Sequence, residues 1–213
     1  MKKIFVMGGA VALLCAGSMS ALAADPPSWD FVSAEVILNG DLSVDGVPDD
    51  FDIDGYRVGV AKSFGDWFMI RASSDARQVD VGPVDVDLGA QQAGIGGHFP
   101  VALGAATLDF WGSVNYERVT FDGVVGDGPG IDLGVRARVM PALDIGATWK
   151  AFGDLEFTDT VDADYTGYEL NAAYMVMPDV SILGSFSTYE LDIDGGDTLD
   201  YENVFGLGVR FDY

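Results

Sequence analysis

The residues most able to carry chemistry in this sequence are charged side chains that recur at every second position. Asp132, Arg136 and Arg138 share one parity of a single run, separated by Leu133, Val135 and Ala137. Glu35, Arg57, Arg71, Asp109, Glu117, Lys150, Glu169 and Arg210 alternate with apolar neighbours in the same way. Spacing of two puts such residues on one face of an extended strand. Acids and bases facing each other in a narrow space either pair and fill it or line a path for ions. A second candidate is Asp50-Phe51-Asp52-Ile53-Asp54-Gly55, which follows the first half of the calcium-loop pattern D-x-D-x-D-G. The bidentate Glu that the twelfth position needs is replaced by Ala61, so Asp50, Asp52 and Asp54 form at most a weak metal site. No cofactor is expected. The third candidate is His98, the only histidine, two residues before Pro100.

Strands are the elements that must position these groups. Four short turn signals divide the chain: Ser63–Asp66, Pro100–Gly104, Pro141–Asp144 and Pro178–Val180. Their spacing is a period of about 37 residues, repeated five times. Each repeat has room for two strands of about ten residues and one long polar loop. The count is ten strands, with eight as the alternative, four tight turns and five long loops. The first strand, about 30–39, sets Val32, Ala34, Val36 and Leu38 against Ser33, Glu35 and Asn39. The strand near 131–139 sets Ile131, Leu133, Val135, Ala137 and Val139 against Asp132, Gly134, Arg136 and Arg138. The fourth strand is irregular. Val84, Val86 and Leu88 keep one parity and Ala93, Ile95 and Phe99 the other, which a bulge near Ala90–Gln92 would reconcile. Hairpin symmetry sets Glu35 opposite Arg57 and Lys150 opposite Glu169, and brings Arg210 toward Glu35 if the sheet closes.

Composition asks for two solvents. The 213 residues carry 11 Lys+Arg against 34 Asp+Glu, a net charge of −23, yet 49% are hydrophobic and 12% aromatic. So acidic a chain is no nucleic-acid binder, and so aromatic a chain is not disordered. Lys2 and Lys3, an apolar run from Ile4 and Ala21-Leu22-Ala23 read as a secretory signal peptide over 1–23, leaving one domain over 24–213. The only cysteine, Cys15, falls in that leader. No later stretch is a long uncharged apolar run, so a membrane could be met only by alternating strands closed into a barrel. Trp29, Phe31, Tyr56, Trp67, Phe68, Phe110, Tyr116, Trp149, Tyr168, Tyr174, Phe211 and Tyr213 would then sit in two aromatic girdles. The acid collects in the expected loops: Asp41, Asp45, Asp49, Asp50 and Asp52 in the first, Asp75, Asp80, Asp85 and Asp87 in the second, Asp154–Asp164 in the fourth and Asp192–Glu202 in the fifth.

The chain ends FGLGVRFDY, with Phe205, Leu207, Val209, Phe211 and Tyr213 alternating with Gly206, Gly208, Arg210 and Asp212. The Gly208, Phe211, Tyr213 ending resembles the C-terminal assembly signal of Gram-negative outer-membrane β-barrels. The chain from residue 24 onward resembles the small members of that family, of the OmpA-like or porin-like kind. The resemblance implies an all-β, transmembrane, antiparallel up-and-down barrel with short periplasmic turns and long acidic extracellular loops. It implies location in the outer membrane after export, with outer-membrane lipid, lipopolysaccharide and the barrel assembly machinery as partners. Nothing follows Tyr213, so no peptidoglycan-binding domain is expected. The oligomeric state is open. The expected function is a structural or surface-contact barrel with a charged, largely plugged lumen. The alternative is a narrow porin-like channel for ions or small solutes. Enzymes of this architecture use a histidine near the outer rim, whereas His98 falls at the turn end, so no catalytic Ser-His or Asp-His constellation is expected.

Overall fold

The computed structural model describes residues 25–213, apart from 46, 48, 49, 82, 83, 159, 160, 195 and 197. The expected leader and Asp49, Asp159 and Asp197 lie outside the described residues. Ten strands follow one another: β1 (Phe31–Val44), β2 (Phe51–Phe64), β3 (Phe68–Val81), β4 (Val84–Leu103), β5 (Ala106–Phe121), β6 (Val124–Met140), β7 (Leu143–Thr158), β8 (Val161–Met177), β9 (Val180–Ile193) and β10 (Thr198–Asp212). Each pairs antiparallel with its sequence neighbours, and β10 pairs with β1, so the sheet closes as an up-and-down barrel of ten strands. Closure removes the free edges that an open sheet would expose.

One end of the barrel carries the four tight turns, at 65–67, 104–105, 141–142 and 178–179. Gly65 (φ 66°) and Gly104 (φ 64°) supply the left-handed backbone that two of these turns need. The turn expected at Pro100–Gly104 lies later. Pro100 sits inside β4 opposite Asp109, and the chain reverses only after Leu103.

At the other end the expectation of long loops is corrected. The strands run 14 to 20 residues rather than about ten, and the link between β5 and β6 is only residues 122–123. Asp122 (φ 44°) and Gly123 (φ 83°) are both left-handed there, as a two-residue hairpin turn requires. Asp41, Asp52, Asp85, Asp87, Glu156, Asp162, Asp164, Asp192 and Glu202 therefore stand on strands, not in loops.

The fourth strand explains why. Its pairing with β3 and β5 is unbroken, so the expected bulge near Ala90–Gln92 is absent. Leu88, Gln92 and His98 face inward, while Asp85, Asp87, Ile95 and Phe99 face outward. What changes along the strand is not the side a residue faces but which side is apolar. Near the tight turns the outer face is apolar and the inner face polar; toward the far end the order reverses. True irregularities lie along β7, where register shifts fall between Asp127 and Gly130 on its neighbour β6 and between Phe152 and Leu155 on β7 itself, and at the closing seam. Register shifts occur between Ile37 and Asp41 on β1 and between Tyr201 and Val204 on β10, where Asn203 has a φ of 52°. The β1 shift turns Asn39, expected on the inner face, outward and brings Gly40 and Leu42 in.

The outer apolar ring is continuous around the barrel. Val58, Phe68, Ile70, Ile95, Phe110, Val114, Leu133, Leu170, Leu207 and Val209 are each more than 40% exposed. Aromatics mark its two borders: Trp67, Phe68, Phe99, Phe211 and Tyr213 toward the turns, and Tyr56, Tyr116, Tyr168, Phe186 and Phe205 toward the far end. Tyr56 and Phe64 stand eight positions apart on β2. That is about 26 Å along the strand, and about 20 Å along the axis at the usual strand tilt of about 40°. Trp29 and Phe31, expected in a girdle, turn inward instead.

Candidate functional site

The site is the barrel interior, and it has three levels. Each strand contributes alternate positions, and the register of its neighbours stacks them. At the level of the tight turns, β7 supplies Asp144. Its oxygens accept from Arg138 Nε (2.7 Å) and Nη2 (3.0 Å) and from Arg210 Nη1 (3.4 Å), with Arg136 Nη2 at 3.8 Å. Arg210 also donates to Asp212 at 2.6 Å. Arg136 donates to the Ser28 carbonyl (2.8 Å) and lies over the Trp29 ring, 4.6 Å from its centroid. Trp29, from the segment before β1, crosses the mouth and donates Nε1–H to Asp109 Oδ2 at 2.6 Å. The other Asp109 oxygen is 3.2 Å from His98 Nδ1, an Asp-His pair that the sequence reading did not expect. Trp29 covers this pair and meets Trp111 edge-on at 5.3 Å.

The middle level is a second network. Asp132, fully buried, accepts from Arg71 (2.8 Å) and Gln92 (2.9 Å). Glu169 receives Arg57 (3.2 Å) and the Tyr189 hydroxyl (3.3 Å), with Lys150 at 3.8 Å. Arg57 also approaches Asp75 (3.8 Å), which is bonded to Arg77 at 2.5 Å. Glu35 accepts from Ser185 Oγ at 2.6 Å. Glu117 is buried opposite Gln92 and Gly128.

The far level is apolar. Ile37, Leu42, Ile53, Val79, Leu88, Phe152, Leu155, Leu191, Leu199 and Val204 form one buried cluster that fills the barrel there. Between that cap and Trp29 lies a cavity of about 120 Å³, lined in part by Ser33, Ser73, Thr148, Glu35, Arg57 and Lys150.

Every interior cation, from Arg57, Arg71 and Arg77 to Arg136, Arg138, Lys150 and Arg210, lies within 3.8 Å of a carboxylate. Such pairing is what makes a charged interior tolerable. Some atoms on the inner face of β5 and its neighbour, those of Ser113, Asn115 and Asp132 Oδ1, have no protein hydrogen-bond partner among the described residues; ordered water ordinarily meets such groups.

The pairings differ in detail from the expected ones. Glu35 does stand opposite Arg57 in register, but Arg57 reaches across to Glu169 and Asp75 while Glu35 takes Ser185. Lys150 stands opposite Gly167, two positions from Glu169, and its ammonium spans the diagonal. Arg210 is opposite Ser33 and turns toward Asp144 and Asp212, away from Glu35. Asp75, assigned to a loop, is an interior residue of β3, and Asp144, assigned to a turn, holds three arginines. Extending the parity of Met69 and Arg71 to Asp75 and Arg77 would have found the first; nothing in the alternation marks Trp29.

The candidate metal residues do not make a loop. Asp52 and Asp54 stand on the outer face of β2, and Asp50 precedes it. Of the C-terminal triplet, Gly208 faces inward at the seam, where an added Cβ would lie 2.1 Å from the Ala34 carbonyl oxygen. Phe211 and Tyr213 face outward, and Tyr213 N–H donates to the Asp30 carbonyl at 3.0 Å.

Among solved structures, the chain is similar to Neisserial surface protein A (NspA), at 14% identity and a TM-score of 0.41, over 87% of this chain and 98% of that one. It is also similar to the KdgM porin, at 10% identity and a TM-score of 0.34, over 85% of this chain and 99% of that one. No protein-family model matches the sequence, and no curated protein matches it.

Proposed function

We propose that the protein is an integral outer-membrane β-barrel with a closed, charge-filled lumen, serving a structural or surface-contact role. One observation carries this reading: along an unbroken strand such as β4, polarity inverts while side-chain direction does not. A barrel in water would be apolar inside along its whole height, and a full ring of exposed Ile, Leu, Val and Phe is far more than a soluble surface carries. Lipid around the ring solvates those side chains, and the charged interior then needs no apolar core at that level. A ring about 20 Å high approaches the roughly 25 Å apolar band of such barrels. Beyond the ring the same strands return to water, so their acids point out and an apolar core forms inside. The tight turns lie on the periplasmic side in this reading. Gly208, Phe211 and Tyr213 serve assembly, and outer-membrane lipid and lipopolysaccharide are the surroundings.

The closed lumen is supported by Trp29 at one end and the Phe152–Leu155 cap at the other. A narrow diffusion channel is the second reading, favoured by the donor-lined cavity between them. Planar-bilayer recording separates the two: the closed reading expects silence, and regular conductance steps would replace it with the channel. A heat-dependent mobility shift on a detergent gel tests the membrane barrel itself; a chain that stays monomeric in buffer without detergent would end that reading.

A further inference from the structure

We infer that residues Asp25–Asp30 are a stopper, a strap that seals the inner chamber at the turn end and whose withdrawal opens it. Two parts of the strap do different work. Trp29 is the plug. It is 5% exposed and reaches the far wall through Asp109 on β5, while Arg136 on β6 holds it from above by its ring and by the Ser28 carbonyl. Asp30 is the latch. Its Oδ1 accepts from both the backbone N–H and the hydroxyl of Ser63 at 2.7 Å, and Lys62 Nζ lies 3.0 Å from Oδ2.

The strap differs in kind from the wall it seals. It pairs with no strand, since the ladder begins at Phe31. Its attachments are a ring, a few side-chain bonds and the Asp30 carbonyl. Removing a strand would break a whole ladder and the barrel with it; removing the strap breaks only these contacts. The latch side chains are 42% and 26% exposed, so salt screens that ion pair while leaving the buried networks nearly untouched. Pro26 and Pro27 precede the plug, and their fixed φ limits how much disorder the strap gains on release. This favours reseating. The plug sits directly on the chamber, because Trp29 lines the same cavity as Ser73 and Thr148.

The inference rests on the barrel reading above, and thiol accessibility tests it separately. Cys15 is replaced by serine, a single cysteine is placed by Ser73→Cys or Thr148→Cys, and the full chain is folded in detergent. The probe is a small cationic methanethiosulfonate. Labelling is slow with Trp29 in place, and Trp29→Gly speeds it about a hundredfold, the effect of about 2.8 kcal/mol at 1.4 kcal/mol per decade. The paired latch variant Lys62→Gln with Ser63→Ala gives a smaller rise, and added salt speeds labelling of the parent. Equal rates with and without Trp29, whether fast or slow, overturn the stopper. The gel shift keeps the two ideas apart. If Trp29→Gly loses the shift, the latch variant decides, and an unchanged rate there overturns the stopper. If the parent itself shows no shift, the barrel reading fails first and the stopper falls with it.

Discussion

Replacing Ile95 with arginine tests the two-solvent argument directly. Ile95 is 64% exposed on the outer face of β4, opposite Ile70 and Val114. In a water-soluble protein an exposed isoleucine tolerates arginine within about 0.5 kcal/mol. Within lipid the cost depends on depth, about 2–4 kcal/mol at the midplane and about 0–1 near the interfaces. Ile95 lies four positions from Phe99, which is about 10 Å along the axis at the usual rise and tilt. That is half the ring height, so Ile95→Arg should cost about 3 kcal/mol. Asp87, on the same face of the same strand, lies eight positions further, about 20 Å toward the far end. Asp87→Arg should therefore change stability by less than about 0.5 kcal/mol. Reversible guanidinium unfolding in lipid vesicles, followed by tryptophan emission, measures both. A cost below about 0.5 kcal/mol for Ile95→Arg would refute the reasoning. So would equal costs at the two positions, which share a strand and an outward face but lie at different depths.

Asp144→Ala removes an acceptor of Arg138 and Arg210 and the counter-charge 3.8 Å from Arg136, and should destabilise the barrel by about 3–5 kcal/mol; a double-mutant cycle with Arg138→Met checks that the loss comes from the pair. Phe152→Ala empties the centre of the apolar cap, where Phe152 is 1% exposed. It should cost about 3–5 kcal/mol in the same unfolding assay, and no change would show that the cap is not tightly packed. Burial raises the Asp30 carboxyl, but the bonds from Ser63 and the charge of Lys62 outweigh it and hold it below its ordinary 3.8. A depressed carboxyl stabilises the charged, latched form above its unfolded value and loses that contribution as pH falls through the folded one, below about 4. Trp29 emission should change over that acid range, and Asp30→Asn should abolish the change. Arg136→Ser with Arg138→Ser leaves bilayers silent if the lumen is closed; conductance appearing only in that variant would show that the arginines constrict a channel.

Strand number, closure and the inner position of the charged residues were legible because alternation with a period of two is read directly from the chain. The C-terminal run is the clearest case: Phe205, Leu207, Val209, Phe211 and Tyr213 all keep the outer face, on the turn side of the β10 register shift. Strand length was not legible, and the reason is physical. Apolar-out alternation stops where the outward residues change from apolar to acidic, so Asp85, Asp87, Asp162 and Asp192 look like loop residues. The strand continues through them with the meaning of inside and outside exchanged. The parity conflict in β4 was the visible trace of this exchange, and a bulge was the wrong explanation for it. Partner choice was illegible for another reason. Register fixes which residues are opposite, but a long arginine or lysine reaches diagonally or across the lumen, so Arg57 bypasses Glu35 for Glu169. Trp29 was missed because its position follows from the chain folding back into the mouth, which no periodicity records.

The seam between β1 and β10 shows how these features depend on one another. Closing a barrel demands a fixed stagger between first and last strands, and the misfit has to be absorbed somewhere. Both register shifts fall on the far side of Ile37 and Phe205, at the level where the interior turns from polar to apolar. Below that level Gly206 and Gly208 let β10 lie close against Glu35, with no room for a Cβ. The two strands therefore pair in unbroken register along the apolar ring, where, on the membrane reading proposed above, an unsatisfied backbone group would find no water. The irregularity is displaced to where Asn203 can take a left-handed backbone in contact with solvent. A Gly208→Val substitution should accordingly weaken closure more than a change at Asn203, although both lie on the same strand. Ring closure read by the heat-dependent gel shift distinguishes them, and equal loss in both variants would mean that the bulge, not the close approach, sets the seam.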